Sequence, residues 1–515
     1  MDALARAIAR PEPVEGLAIR SPLAGLARRS VGFADVLAQS VSAVAPAGAA
    51  FTTPLLVSAV AGGVSLPALA AALVIALLTA STINEFTRRM AATGSLYTFV
   101  ARGLGTAAAF VAGVGLLIGY GFIAMFALAG SGYYLALFVT RLLPIAVDPT
   151  LLAAVAILVL GAVCFVVLAR GIRLSTRVSL LVEALSVTLI GALIVAVIGA
   201  NADRVTVLVE PDAAFDPGGF AVAATLAITA FVGFESSAAL GVEAKRPFAS
   251  IPRAISWTVL GSGLLYLAAS AAQTIGFDVT GLDPATSSSP TNDLAAALGA
   301  PWAGFLLDVS IATSLFACTV ASSTALVRVL FSMGREGLLP GAFGTAHPRF
   351  RTPFVASAVA LPVVVAVPMI TVFVTGGVWA AMTVLIIFAA AGYILAYTLA
   401  CVAAPFFLHR IGELGVWSAV KAAAAAIALS GVVLVYLVEE GGGARGFGVW
   451  GFAALLAAGI AVYWIRMLRR PWLRHAIGVY DQAVAGDVLG GIPEAEWIDD
   501  LETVDDTDTE GRRGG

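Results

Sequence analysis

Two glutamates lie inside apolar stretches of this chain. Glu235 follows Gly233 by two residues in the run ATLAITAFVGFESSAAL, and Glu183 lies in the run RVSLLVEALSVTLIGAL. An unpaired charge inside a lipid-facing helix costs about 3 kcal/mol even on the lenient insertion scales. A carboxylate in such surroundings can take up and release a proton, or bind a cation, as it moves between dry and wet environments. Both acids are therefore candidates for reversible cation binding.

The composition shows what kind of molecule carries these acids. Hydrophobic residues make up 60% of the 515 residues and charged residues only 12%, which is outside the usual balance of soluble proteins. Twelve apolar runs are long enough to cross about 30 Å of hydrocarbon, and we number them span 1 to span 12. They cover residues 36–61, 65–84, 106–139, 150–169, 176–199, 219–242, 254–277, 302–333, 353–375, 379–405, 416–438 and 448–468. The sequence thus predicts an all-α integral membrane protein with twelve transmembrane helices.

The basic residues predict how these helices are oriented. Lysines and arginines cluster at the N-terminus and in every second connection, at residues 6–29, 88–102, 170–177, 245–253, 335–351 and 466–474. Short cytoplasmic connections are enriched in such residues. Both termini are therefore predicted to be cytoplasmic, in agreement with an even number of spans.

The remaining composition limits the chemistry. Cys164, Cys318 and Cys401 all fall in predicted spans, where they are expected to be small core residues. No metal site of the zinc type and no cofactor is expected, and nothing indicates nucleic-acid binding. Nine carboxylates between Glu494 and Glu510 predict an acidic, disordered extension at the C-terminus.

Two spans are interrupted at matching places. Span 1 contains QSVSAVAPAGAAFTTP, in which Pro46 and Gly48 weaken the helix, and span 6 contains Gly233 beside Glu235. Interrupted helices five spans apart indicate a transporter built from inverted repeats, whose substrate site lies where the helices break. A break at membrane depth must face a cavity or other protein. For the first break alone, an ordinary proline kink is an equally good interpretation.

Three segments resemble a known family. The stretch AFVGFESSAALGVEAKRPFASIPRAI at residues 230–255 resembles the sixth-helix signature of the amino acid–polyamine–organocation permeases. In that signature a Gly-aromatic-Glu-Ser break precedes Glu-Ala-Lys and Ile-Pro-Arg-Ala. TASTINEFTRRMAATGSLYTFVARGLG at residues 79–105 and RVLFSMGREGLLPGAF at residues 328–343 are similar to the family as well. The resemblance extends over about residues 33–470.

The resemblance implies the leucine-transporter fold, with spans 1–5 and 6–10 as a 5+5 inverted repeat and two additional C-terminal helices. The repeats would cover residues 33–200 and 218–405, and the additional helices residues 416–468. The cytoplasmic tails would be residues 1–32 and 471–515. The implied function is secondary transport of an amino acid or amine across the cell membrane by alternating access. A transporter-derived sensor, which would keep the site and signal through its tail, remains an alternative.

The same resemblance implies the substrate site. The amides of Gly48 and Ala49 would bind the substrate carboxylate, and the carbonyls of Ala45, Thr229 and Val232 would bind its amino group. This agrees with the dipoles of broken helices, whose N-termini attract anions and whose C-termini attract cations. The other expected members of the site are Pro46, Ala47, Phe231, Gly233 and Phe234.

Coupling to a cation is assigned to both acids. Glu235 would bind and release a proton, although an acid that only caps the second half of span 6 is the alternative. Where the family uses a fifth-helix lysine in place of sodium, this chain has Glu183. It could bind sodium together with carbonyls near Ala43 and Pro46 and the hydroxyls of Ser322 and Ser323.

A proton on Glu183 would serve the same purpose as sodium, and we favour proton coupling. An alternative partner for this acid is Arg173, Arg177 or Arg328. The chain also departs from its relatives at Thr229, where many members carry an aromatic residue that closes over the substrate. Here Phe231 or Phe234 would have to replace that ring, or the pocket stays larger.

Overall fold

The computed structural model describes residue 23 and residues 25–61, 65–143, 148–208, 217–282, 290–297, 299–440 and 446–481. Of the predicted tails, residues 1–32 and 471–515, the structure leaves residues 1–22 and 482–515 undescribed. Residues Gly25–Val479 form one compact unit. Its transmembrane helices are, from span 1 onward, Phe33–Val44 with Pro46–Ala61, Ser65–Thr87, Thr106–Leu142, Pro149–Arg170, Ile172–Ala200, Pro217–Ile228 with the short turns to Leu240, Pro247–Thr280, Ala303–Arg335, Phe354–Thr375, Val378–Arg410, Val416–Glu440 and Gly446–Arg469.

The predicted fold class is confirmed. Eleven helices of the described chain are long and apolar enough to cross a membrane. Span 1 is the twelfth: it is divided at Ala45 into helices of 12 and 16 residues, each too short to cross alone. Among the described residues β-type pairing is limited to isolated bridge residues, such as the pair Val31 and Ala244.

Span 8 lies in the interior and span 12 at the periphery. In the apolar 18-residue stretch of span 8, 72% is buried inside the molecule, whereas in that of span 12 only 6% is buried. Span 3 packs on both span 8 and span 10. Its backbone meets that of span 10 where Gly115 faces Gly392: a Cβ on Gly392 would lie 2.5 Å from the Gly115 carbonyl oxygen. Small residues thus allow these helices to approach closely.

Two of the short helices outside the spans help to position neighbouring elements. Leu96–Leu104 connects spans 2 and 3, and Pro290–Ala297 precedes span 8. The second is attached to span 8 through Asp308, which is fully buried. The Asn292 amide donates to one oxygen of Asp308 at 2.8 Å, and Arg141 lies 2.9 Å from the other. The boundaries of the two repeats remain a prediction.

Candidate functional site

The break in span 1 is a single left-handed residue. The first helix ends at Val44, and Ala45 has φ 49° and ψ 59°, which costs a residue with a side chain about 1–2 kcal/mol. Pro46 begins the second helix, where its missing N–H is no loss and its fixed φ is suited to the first helical position. The residue before a proline avoids the helical region. The interruption therefore falls where the proline requires it.

The amides that follow the break are already hydrogen-bonded. Ala47 N–H donates to Oε1 of Glu183 at 3.1 Å, and Gly48 N–H donates to the Ser314 hydroxyl at 3.3 Å. The Ser314 hydroxyl in turn donates to the same glutamate oxygen at 3.0 Å. The third amide, of Ala49, donates to the Ala45 carbonyl inside the helix. Thus the amides of Ala47 and Gly48 donate to side chains of other spans instead of to carbonyls of their own helix.

The break in span 6 is an irregular stretch between two short turns of 3-10 helix, Thr229–Phe231 and Ser236–Leu240. Gly233 lies within it with φ +95°, and its N–H donates to the Tyr397 hydroxyl at 2.9 Å. A Cβ at this glycine would lie 3.0 Å from the Ala43 carbonyl oxygen of span 1. The two breaks therefore lie side by side.

One thiol and one hydroxyl donate hydrogen bonds near the ends of the first half-helices. The Cys318 thiol donates to the Ala43 carbonyl at 3.1 Å. The Tyr266 hydroxyl donates to the Ala230 carbonyl at 3.0 Å. Such carbonyls form the negative ends of helix dipoles. A cationic group bound near them would be stabilised.

Glu235 is fully buried between two tyrosines. The Tyr120 hydroxyl donates to its Oε1 at 2.7 Å, and the Tyr397 hydroxyl donates to Oε2. Its side chain makes no capping hydrogen bond to the turn that follows. Glu235 is thus attached to spans 3 and 10 through neutral donors.

The two aromatic residues that were expected to close over the substrate, Phe231 and Phe234, pack against tyrosines. Phe231 packs edge-on against Tyr266, with ring centres 5.3 Å apart, and Phe234 stacks on Tyr397 at 5.1 Å. Val232 is buried as well. The Thr229 side chain borders an apolar cavity of about 480 Å³ that is also lined by residues of spans 10, 11 and 12.

The predicted hydroxyl ligands lie in the buried part of span 8. Ser322 Oγ is 3.7 Å from the Cys318 sulfur, which itself contacts the Ala43 carbonyl. Ser323 is fully buried next to it. Cys318 therefore stands between Ser322 and the carbonyl that was expected to share a cation with it.

Arg328 does not hold Glu183. Its guanidinium donates twice to Oε1 of Glu243, from Nε at 3.0 Å and from Nη2 at 2.6 Å. The side chains of Arg173 and Arg177 lie outside the part that the structure describes. The partners found for Glu183 are the neutral groups of Ala47 and Ser314.

Sequence reasoning missed the groups that come from other spans. Tyr120, Tyr266, Tyr397 and Ser314 all contact the breaks or their acids, yet each lies in an apolar run where hydropathy gives it no special weight. The one available signal was spacing: Ser314 precedes Ser322 by eight residues, about two helical turns on the same face.

Two interrupted helices in contact at the centre of a twelve-span protein define a membrane transport protein. Residues 35–469 match the family model described as amino acid permease, so this chain belongs to the amino acid permease family. That family consists of transporters, not enzymes.

Three curated relatives show the breadth of the family. The chain is 28% identical to the branched-chain amino acid permease BcaP of Bacillus subtilis (strain 168), with 64% of this chain and 72% of that protein covered. It is 28% identical to the methylthioribose transporter of the same organism, over 67% of this chain and 75% of the relative. It is 29% identical to cationic amino acid transporter 4 of Mus musculus, over 67% of this chain and 55% of the relative.

Proposed function

We propose that this protein is a secondary active transporter of an amino acid or a related amine in the cell membrane. The substrate binds where the breaks of spans 1 and 6 meet and is released by alternating access, with both termini in the cytoplasm. The observation that carries the proposal is the close approach of Gly233 to the Ala43 carbonyl, whose oxygen would lie 3.0 Å from an added Cβ, because it brings the two breaks side by side. The names of the relatives supply the substrate class, an amino acid in two of the three.

Glu235 is the coupling residue of this proposal, and the coupling ion is a proton in preference to sodium. The side chains that donate hydrogen bonds to its carboxylate, Tyr120 and Tyr397, are neutral. A buried carboxylate without a cationic partner is costly unless it is neutralised. Proton uptake achieves this without further ligands, whereas sodium requires several oxygen atoms around it.

An exchanger of polyamines or other amines with the same fold is the second candidate, and the observation that favours it is the pair of buried acids at the breaks. A transporter-derived nutrient sensor is a further alternative with the same site.

Uptake into proteoliposomes tests the proposal. The purified protein is reconstituted, and uptake of radiolabelled amino acids and amines is measured with an imposed pH gradient, with a sodium gradient and with neither. We expect accumulation with the pH gradient alone. Accumulation that depends only on sodium would contradict proton coupling, and no uptake of any compound by folded protein would contradict the transport function.

A further inference from the structure

The N-terminus of the second half of span 1 is occupied by a group of the protein itself. The two amides that leave the helix, those of Ala47 and Gly48, bind Glu183 directly and through the Ser314 hydroxyl. A helix N-terminus with free amides attracts anions. Here the anion is the carboxylate of span 5, and a substrate carboxylate would have to displace it.

The other oxygen of this carboxylate points to a ligand. Glu183 is 1% exposed, and its Oε2 has no hydrogen-bond partner among the described residues. Buried polar atoms are nearly always paired, and an unpaired carboxylate oxygen is especially costly. A hydrogen-bond donor that carries a positive charge would satisfy this oxygen.

The charges around the breaks favour the same kind of ligand. Two acids, Glu183 and Glu235, lie at the breaks, and the described hydrogen-bond partners of both are neutral. Arg328, a basic residue of neighbouring span 8, is paired with Glu243. Cation binding is therefore the change that most reduces the electrostatic cost of this site.

We propose that Glu183 determines substrate specificity by occupying the carboxylate position of the site with its own carboxylate. The site then favours an organic cation that lacks a carboxylate over the amino acid with the same side chain. The ammonium group of the cation pairs with Oε2 of Glu183, near the carbonyl ends of the first half-helices. This inference rests on the proposed transport function and specifies the substrate class of the same site.

An amino acid would meet two difficulties here. Its carboxylate would compete with Glu183 for the same amides of Ala47 and Gly48, and two carboxylates would lie close together in an apolar interior. Like charges at such distances repel strongly. The decarboxylated amine of the same side chain meets neither difficulty.

Matched pairs of compounds test the inference. Uptake into proteoliposomes is measured for radiolabelled lysine and cadaverine, arginine and agmatine, and leucine and isoamylamine, and thermal shifts of the nanodisc-bound protein report binding of the same compounds. For at least one pair we expect the amine to be preferred by about tenfold or more, because a buried charge pair discriminates strongly.

Glu183→Gln is the decisive variant. The glutamine keeps an oxygen for the Ala47 amide and the Ser314 hydroxyl but has no charge, so we expect the preference for the amine to fall by about tenfold. Glu413→Gln is the control, because Glu413 is an exposed partner of Arg89 between spans 10 and 11. It should leave the preference unchanged.

Each outcome separates the two proposals. If the wild type transports the amino acids better than the amines, the specificity role of Glu183 is wrong while the transport function stands. If Glu183→Gln keeps the full preference for the amine, the preference has another origin and the inference is wrong. If Glu183→Gln does not fold, the preference of the wild type still decides. If folded wild-type protein neither binds nor transports any of the six compounds, both proposals fail.

Discussion

Spans 1 and 6 are both interrupted, but the acid beside each break has a different origin. At the break of span 1, the carboxylate belongs to Glu183, 136 residues from Ala47, and it accepts a hydrogen bond from the Ala47 main-chain amide. At the break of span 6, the acid is Glu235 of the break itself, and it is bound by tyrosines of spans 3 and 10. In the first case a side chain from another span accepts a hydrogen bond from the main chain at a helix end. In the second case side chains from other spans donate hydrogen bonds to an acid of the break itself.

This difference assigns different tasks to the two acids. A carboxylate that occupies a helix end from another span is placed to decide which group can bind there. The Glu235 carboxylate accepts hydrogen bonds from the Tyr120 and Tyr397 hydroxyls, so it can gain or lose a proton without breaking the contact of the Ala47 amide with Glu183. We therefore expect the two acids to respond differently to the same substitution.

The largest effect is expected for Glu235→Gln. Removal of the exchangeable proton should reduce uptake driven by a pH gradient by about tenfold or more, the equivalent of about 1.4 kcal/mol. Exchange of labelled for unlabelled substrate without a gradient should persist. Glu183→Gln should instead change which compound is accepted, or reduce gradient-driven uptake as well if the cation binds beside span 5. Wild-type accumulation in both single variants would contradict cation coupling by either acid.

Gly233→Ala tests the contact between the two breaks. The new Cβ would be strained at φ +95° and would lie 3.0 Å from the Ala43 carbonyl oxygen, so we expect a loss of about 1–3 kcal/mol in stability. Thermal unfolding in detergent measures this loss, and uptake should fall with it.

Gly121→Ala is the matched control, because a Cβ at this glycine of span 3 meets no atom within 4 Å. It should leave the unfolding temperature unchanged or raise it slightly, since alanine favours a helix. Equal unfolding temperatures for the two variants would show that the break has room for a side chain at Gly233, which contradicts the prediction.

A smaller effect is expected at Thr229. Its side chain borders the apolar cavity of about 480 Å³, and Phe231 and Phe234 are packed against tyrosines. Thr229→Phe should narrow the range of transported compounds, with a loss of about fivefold for the bulkiest, which is about 1 kcal/mol and the lower end of the range for a change in a hydrophobic pocket. Thr229→Ser keeps the hydroxyl and serves as the control. An unchanged range in Thr229→Phe would exclude this position as the open lid.

The sequence predicted the features that are local. Apolar length located all twelve spans, and Pro46 located the break of span 1 to within one residue, because proline restricts the residue before it. Gly233 marked the second break because only glycine adopts its φ without cost.

The partners of the acids could not be predicted, since they depend on how distant helices pack. Nothing near Ala47 indicates that its amide binds Glu183. Likewise, nothing in span 3 distinguishes Tyr120, which binds Glu235, from Tyr134, which is buried elsewhere in that span.

Another buried glutamate, Glu336, lies outside the membrane-spanning segments. Glu336 follows the last residue of span 8. Like Glu183, it accepts hydrogen bonds from the main chain: from Gly478 N–H at 2.8 Å and from Val479 N–H at 2.9 Å. The Tyr97 hydroxyl of the short helix Leu96–Leu104 donates to its other oxygen. Glu336 therefore attaches the segment after span 12 to this helix.

The smallest effect on uptake is expected for this attachment, which should instead depend on pH. Burial raises the pKa of Glu336 to about 7, against the lowering effects of its hydrogen bonds and of Arg102. A raised pKa means that the attached state holds the proton more tightly than the open state. The attachment should therefore be strongest below about pH 4.5 and weaken as the pH rises through 7, by about a hundredfold in the equilibrium constant for opening.

Hydrogen exchange of the Gly478 and Val479 amides measures that opening. The variant Glu336→Gln, which resembles the protonated acid, corrects for the intrinsic pH dependence of exchange. The ratio of wild-type to variant exchange rates should rise between pH 5 and pH 8. A constant ratio would mean that ionisation of Glu336 does not control the attachment, and that an acid bound to main-chain amides can stay charged at this site without loosening it.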